Sequence, residues 1–172
     1  MAGLEYAHRA AEIVHAAGGH IVGRTKLQKI AFFLEATGLG AGFPFQYKHY
    51  GPYSELLAAA AQHAAALKLI SEKESIASWG GRYSIFSSQM PIESSSDRPA
   101  RSSLAQEMVN ADPVELELAA TAAFLARQGF SDPWGETARR KPEKAEDGRI
   151  DGAKQLYHKL RQIRTPQPLP AI

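Results

Sequence analysis

Between Lys48 and Ala61 the chain reads KHYGPYSELLAAAA. Gly51-Pro52 cannot sit inside a helix: Pro52 has no amide hydrogen, and its ring pushes Gly51 toward extended backbone. Ser54 is a good N-cap, and Glu55 in the first turn complements the helix dipole. The segment is expected to be a corner: Gly51-Pro52 turns the chain, and a helix runs from Glu55 to Leu69. Alanine supplies seven of those fifteen residues, so the helix can lie very close to its neighbours. Leu56, Leu57, Ala60, Ala64 and Leu67 form its inward face.

Upstream, Tyr6, Ala10, Ile13, Val14 and Ala17 repeat at helical spacing, which predicts a helix over 4–17, stopped by Gly18-Gly19. A second helix starts at Thr25, with Thr25 and Gln28 as a capping box. Its buried stripe is Leu27, Ile30, Ala31 and Leu34. Lys26 and Lys29 fall off that stripe, three apart, and are expected on an exposed face. Phe43, Phe45, Tyr47 and His49 then alternate with other residues, the period of an extended segment, which Pro44 confines to an edge.

Downstream, Gly80-Gly81 within LISEKESIASWGGRYSIFSS reads as the two-residue turn of a β-hairpin. Residues 91–111 read as a connector, flexible over PIESSSDRPARSS. Asp112-Pro113-Val114-Glu115 is a strong helix start. Leu116, Ala119, Ala120, Ala123 and Phe124 face inward, and Gly129 ends that helix. A short helix stops at Pro142. A last one runs from about Glu146 to Ile163, with Ile150, Ala153, Leu156, Tyr157 and Leu160 inward. Residues 164–172 read as a frayed tail.

The fold class that follows is mostly α (α+β): winged-helix-like helices with a small β-hairpin over 1–90, the connector 91–111, and C-terminal helices 112–163 packing on the same domain. A length of 172 residues suits one domain, and 44% hydrophobic with 22% charged residues is ordinary globular composition. No cysteine is present, which excludes disulfides, thiolate nucleophiles and cysteine-based metal sites. No apolar run approaches the roughly 20 residues that span a bilayer, and no basic leader precedes an apolar block, so a cytoplasmic setting is expected. Residues 134–172 carry nine basic and five acidic side chains, a basic end that suits an acidic partner or a solvated helix face.

No catalytic constellation emerges. P-loop, GxSxG and HExxH patterns are absent. His8 and His15 lie seven apart, about 10 Å at 1.5 Å per residue, too far to grip one metal as a pair. His49 and His63 could meet across the corner, but no partner carboxylate is evident. Arg139-Arg140-Lys141 could hold phosphate, although a solvated helix end is the plainer reading. No catalytic, cofactor or metal residue is assigned, and no cofactor is expected.

RTKLQKIAFFLEATG followed by FQYKHYGPYSELLAAA resembles the YwgA-like family and, more distantly, the Panacea/SocA-like antitoxin proteins. The matching positions are Lys26, Leu27, Gln28, Lys29, Phe45, Tyr50, Gly51, Pro52, Tyr53 and Ser54, with LELAATAAFLARQG, Lys141-Pro142 and AKQLYHKL further on. Tyr53-Ser54 after Gly-Pro sits closer to the YwgA pattern. The resemblance implies a non-enzymatic protein-interaction module of antitoxin, adaptor or regulatory type, with a protein partner that could be a toxin. The surface expected to bind it is Arg24, Lys26, Lys29, Lys48, His49, Tyr50 and Tyr53, because tyrosines near basic groups resemble interface anchors. The alternative is a winged-helix DNA-binding regulator. Its recognition helix, 55–69, would offer only Gln62, His63 and Lys68 beyond alanine, a thin face for reading bases.

Overall fold

In a computed structural model, residues 2–88 and 98–172 are described. They form seven helices and five short strands, a mostly α fold with two small antiparallel sheets. Helix α1 (Ala2–Ala16) leads through Gly18 and Gly19, both at positive φ, into strand β1 (His20–Val22). The sequence offered "HIVG" only as a bridge. Three residues are too few to show a period, and it is pairing with β5 that makes them a strand.

Helix α2 (Arg24–Ala36) is the centre of the molecule. Every residue from Lys26 to Leu34 is buried. A helix enclosed on all sides has no solvent face, so the expected exposed face bearing Lys26 and Lys29 does not exist. Nor does the capping box: Gly23 is the N-cap and no side chain caps the helix. Aromatic rings extend the core outward from α2. Phe32 meets Phe45 at 5.6 Å and Phe124 at 6.2 Å between centroids, and Phe33 meets Tyr157 at 6.5 Å.

The corner is a hairpin. Strand β2 (Gln46–Lys48) pairs with β3 (Gly51–Tyr53) in antiparallel register, Tyr47 opposite Pro52. The chain reverses at His49-Tyr50, so Gly51-Pro52 begins the returning strand and is not itself the turn. Helix α3 (Glu55–Ala66) follows, with the Ser54 hydroxyl accepting from the Leu57 amide at 3.2 Å, as the cap requires. Strands β4 (Ser71–Ile76) and β5 (Arg82–Ser87) make the second hairpin, and β1 adds to β5 to give the order β1-β5-β4. Its loop runs from Ala77 to Gly81, closed by Ala77 N–H donating to Gly81 O at 2.7 Å, and is longer than the Gly-Gly pair suggests.

Residues 91–97 of the expected connector lie outside the described residues. From Arg98 the chain is helical, α4 (Arg98–Val109), and Leu104, Ala105 and Met108 are fully buried against the rest. Serine, proline and charge over 91–103 masked this short apolar stripe. Asp112 caps α5 (Pro113–Arg127) as expected, accepting from Val114 and Glu115 amides. Helices α6 (Pro133–Arg140) and α7 (Arg149–Gln162) pack on α5, and one hydrophobic cluster runs from Ala7 to Leu169. The tail is not frayed: Leu169 is buried, Gln167 N–H donates to Thr37 O, and the Tyr157 hydroxyl donates to Pro170 O at 2.6 Å. None of the helices is long and apolar enough to cross a membrane, among the described residues.

Candidate functional site

The β2–β3 hairpin is seated on α2 and α5 by groups that the two helices bury. Gly51 stands at φ +87°, and a Cβ there would lie 2.5 Å from the Thr121 hydroxyl and 3.8 Å from Lys29 Nζ. Glycine therefore meets two demands at once, a left-handed backbone and a flush contact with α5. Beside it, Gln28 reaches from α2 to the end of the hairpin. Its Nε2 donates to Ser54 O at 2.9 Å, and its Oε1 accepts from Ser54 N–H at 2.8 Å. One buried side chain thus satisfies both backbone groups of the residue that also caps α3.

Three lysines act on the hairpin and its supports. Lys29, fully buried, donates to Pro52 O at 2.7 Å. Lys141 donates to His49 O at 2.9 Å and lies 3.2 Å from Glu117. Lys144 donates to both Glu117 oxygens, at 2.9 and 2.7 Å. Glu117 is a buried carboxylate among the buried leucines and alanines of α5, and two ammonium groups answer its charge. One carboxylate faces three lysines, so the cluster is cation-rich. Burial pushes Lys29 down to about 7, with Lys141 and Lys144 adding to the shift and Glu117 opposing it. Burial also lowers Lys141, again against Glu117.

The outward side of the same hairpin is an array of rings and cations. Tyr50, at the tip, is 51% exposed, stacks edge-on with His49 at 4.8 Å and carries Lys144 Nζ 4.7 Å over its ring. Arg140 lies over Tyr47 at 4.8 Å and over the exposed Phe130 at 5.3 Å. Lys48 lies 5.6 Å over Tyr53 and pairs with Glu55. The hydrogen bond from Lys48 holds the exposed Glu55 carboxyl below its ordinary range. Rings held in place by cations are the residue types that anchor protein interfaces.

Of the seven residues expected to form a partner surface, four come together: Lys48, His49, Tyr50 and Tyr53 surround the hairpin tip. Lys29 lies beneath it, in the core. Lys26 is buried elsewhere, donating to Val109 O and Ala111 O at the end of α4, where helix carbonyls lack partners. Burial lowers its pKa, against the pull of Asp112. Arg24 sits by the other sheet and pairs with Glu72 at 2.9 Å. His63 faces the first turn of α1, 3.2 Å from Gly3 O, and is not joined to His49. The basic run at the end of α6 is also divided: Arg139 and Arg140 both pair with Glu136, while Lys141 turns inward.

Sequence reasoning missed Glu117, Arg140 and Lys144 as parts of this site. A signal existed for the first: a glutamate flanked by leucines in LELAATAAFL needs a cation if the helix is buried all round. Among the described residues no set of three His, Asp or Glu comes together to hold a metal. Comparison with protein families, curated proteins and solved structures finds no match.

Proposed function

We propose that this chain is a non-enzymatic partner-binding protein, of the antitoxin, adaptor or regulatory type that a YwgA/SocA-like resemblance implies, acting in the cytoplasm. The observation that supports the reading is the outward face of the β2–β3 hairpin. Tyr47, Tyr50, Tyr53 and Phe130 are interleaved there with Lys48, Arg140 and Lys144. The hairpin is held from below by Gln28, Lys29 and Lys141, so the face is rigid before a partner arrives, and rigidity lowers the entropy lost on binding. Its cations favour an acidic segment of the partner. A photo-crosslinking residue placed at position 50 in cells tests the reading. It should give one discrete protein adduct that weakens when Arg140 is replaced by glutamate. Adducts from the α3 face, with the probe at Gln62, and none from position 50 would refute it.

The DNA-binding reading rests on a different observation, the helix order with a three-stranded sheet β1-β5-β4. Lys26 and Lys29 cannot serve it, since both are bound to carbonyls inside the protein. Arg24 and Arg82 remain on the surface. A random duplex should bind weakly at physiological salt. A salt-dependent shift lost in Arg24→Glu/Arg82→Glu would reverse the ranking.

A further inference from the structure

The loop of the β4–β5 hairpin holds Trp79, the most exposed large apolar side chain among the described residues at 79%. The indole is not loose. A Cβ at Gly81 would overlap its ring, so one face of Trp79 lies on the Gly81 backbone and the other is open. Beside it is a hollow of about 540 Å³, walled by Val22, Trp79, Tyr83 and Pro113. That volume is in the range of small-ligand sites, which join apolar walls to a few polar groups.

The charge of the hollow is unbalanced. Arg24, Lys26 and Arg82 line it against Glu74. Glu72 lies just outside and pairs with Arg24 at 2.9 Å, so three cations still face two carboxylates. Both guanidinium groups keep donors to spare. Arg24 meets Glu72 through Nε and Nη2, which leaves Nη1 for another acceptor. Arg82 comes to 3.7 Å from Glu74, beyond hydrogen-bond reach. The Lys26 ammonium is turned to the end of α4, so it contributes charge and no contact. Helix α2 starts at the same wall. Gly23 and Thr25 line the hollow, no side chain caps the first turn, and open space stands where a Cβ of Gly23 would project.

We propose that this hollow binds a nucleoside phosphate, the base on the open face of the indole and the phosphate held by Arg24 and Arg82. The polar groups left unmet there are donors: guanidinium edges and the first amides of α2. A phosphate brings acceptors, and arginine matches it two bonds at a time. A peptide would bring an N–H for nearly every carbonyl, and Glu74 is the only carboxylate among the described residues that line the hollow. A base stacks on an aromatic side chain through its π-face, whatever its identity. A free mononucleotide and one unit of a single strand share this chemistry. A duplex does not, because its bases are held within the stack. None of these groups belongs to the β2–β3 face.

Tryptophan fluorescence of the full chain, titrated with adenosine 5′-monophosphate, tests the proposal. The chain has two tryptophans and Trp134 is buried, so quenching reports Trp79. Quenching should saturate with a dissociation constant on the order of 10–100 μM, the scale of a small ligand at an open site. Adenosine, which lacks the phosphate, should bind about tenfold more weakly or worse. By calorimetry, Trp79→Ala and Arg82→Gln should each weaken the monophosphate by about fivefold or more. Both side chains are exposed, so circular dichroism and melting temperature should not change. Tyr50→Ala should leave the affinity unaltered. A short strand of deoxyadenylate decides the source: a gain of about tenfold or more over the monophosphate assigns the site to a single strand, and a smaller gain to the free nucleotide. No saturable quenching by either ligand overturns the proposal. So does adenosine binding as tightly as the monophosphate, or an affinity indifferent to Trp79 or to Arg82.

Discussion

At the scale of single residues, the fold turns on polar side chains buried in its central helix. Gln28 shows how sharply. Replacing it with alanine leaves the buried Ser54 amide without a partner, an orphaned group that costs about 1–3 kcal/mol, and leaves the Ser54 carbonyl with the Ala58 amide alone. Gln28→Ala is therefore expected to lose roughly 1.5–4 kcal/mol in denaturant unfolding, whereas a solvent-facing capping-box glutamine would lose under about 1 kcal/mol. Lys29 gives a pH signature. Its folded pKa is about 7 against an ordinary 10.5. Between those values the unfolded chain holds a proton that the folded chain lacks, so stability rises with pH through that window. The slope from this one group is at most about 1.4 kcal/mol per pH unit. Near pH 10 an opposite effect begins. The unfolded Tyr157 phenol ionises there, while burial keeps the folded one protonated to about 12. Lys29→Met should remove the largest part of the rise between pH 7 and 10 in urea titrations. An unchanged slope would place Lys29 in contact with water.

Among elements, the hairpin β2–β3 shows what could be read from the sequence and what could not. Ser54 as a cap, Asp112-Pro113 as a helix start and the apolar stripes of α5 and α7 are local signals, decided within a turn or two of chain, and the structure has them. The hairpin needed knowledge of what lies beneath it. Gly51-Pro52 reads as a turn in isolation, and only the packing on Thr121 and Lys29 makes it the start of a strand. The lysines of α2 failed for the same reason. A stripe of four apolar residues implies an opposite wet face, but here α4, α5 and the hairpin cover that face. The rings and cations of the candidate site were legible where they sit on the hairpin tip, and illegible where they come from α6 and the segment after it, some 90 residues on. Gly51→Ala should cost about 2–4 kcal/mol, because it combines a strained left-handed residue with overlap of Thr121. Gly129→Ala provides the comparison. That position shares positive φ, but nothing lies within 4 Å of its added Cβ, so it should cost only about 1 kcal/mol. Equal losses at the two positions in thermal unfolding would mean that the hairpin does not rest on α5.

For the whole molecule, the arrangement places a fixed platform of rings and cations on one side of a helical core, supported by a buried cluster in which one carboxylate serves several lysines. Glu117 ties the platform to α5, since it holds both Lys141, which grips His49 O, and Lys144, which covers Tyr50. Glu117→Gln should leave two ammonium groups with a neutral partner. Breaking a buried pair in this way costs about 3–5 kcal/mol, read as a lower melting temperature. The outward face of the hairpin, the proposed partner surface, contributes little to stability, because its rings and cations are largely on the surface. Binding and folding should therefore separate. The most direct measurement is the affinity, by calorimetry, of the protein captured through position 50 for the native chain and for Tyr50→Ala/Arg140→Ala. The account predicts a loss of about 30-fold or more, the scale of two interface anchors, with the melting temperature unchanged. An affinity that stays the same in a folded double variant would contradict it.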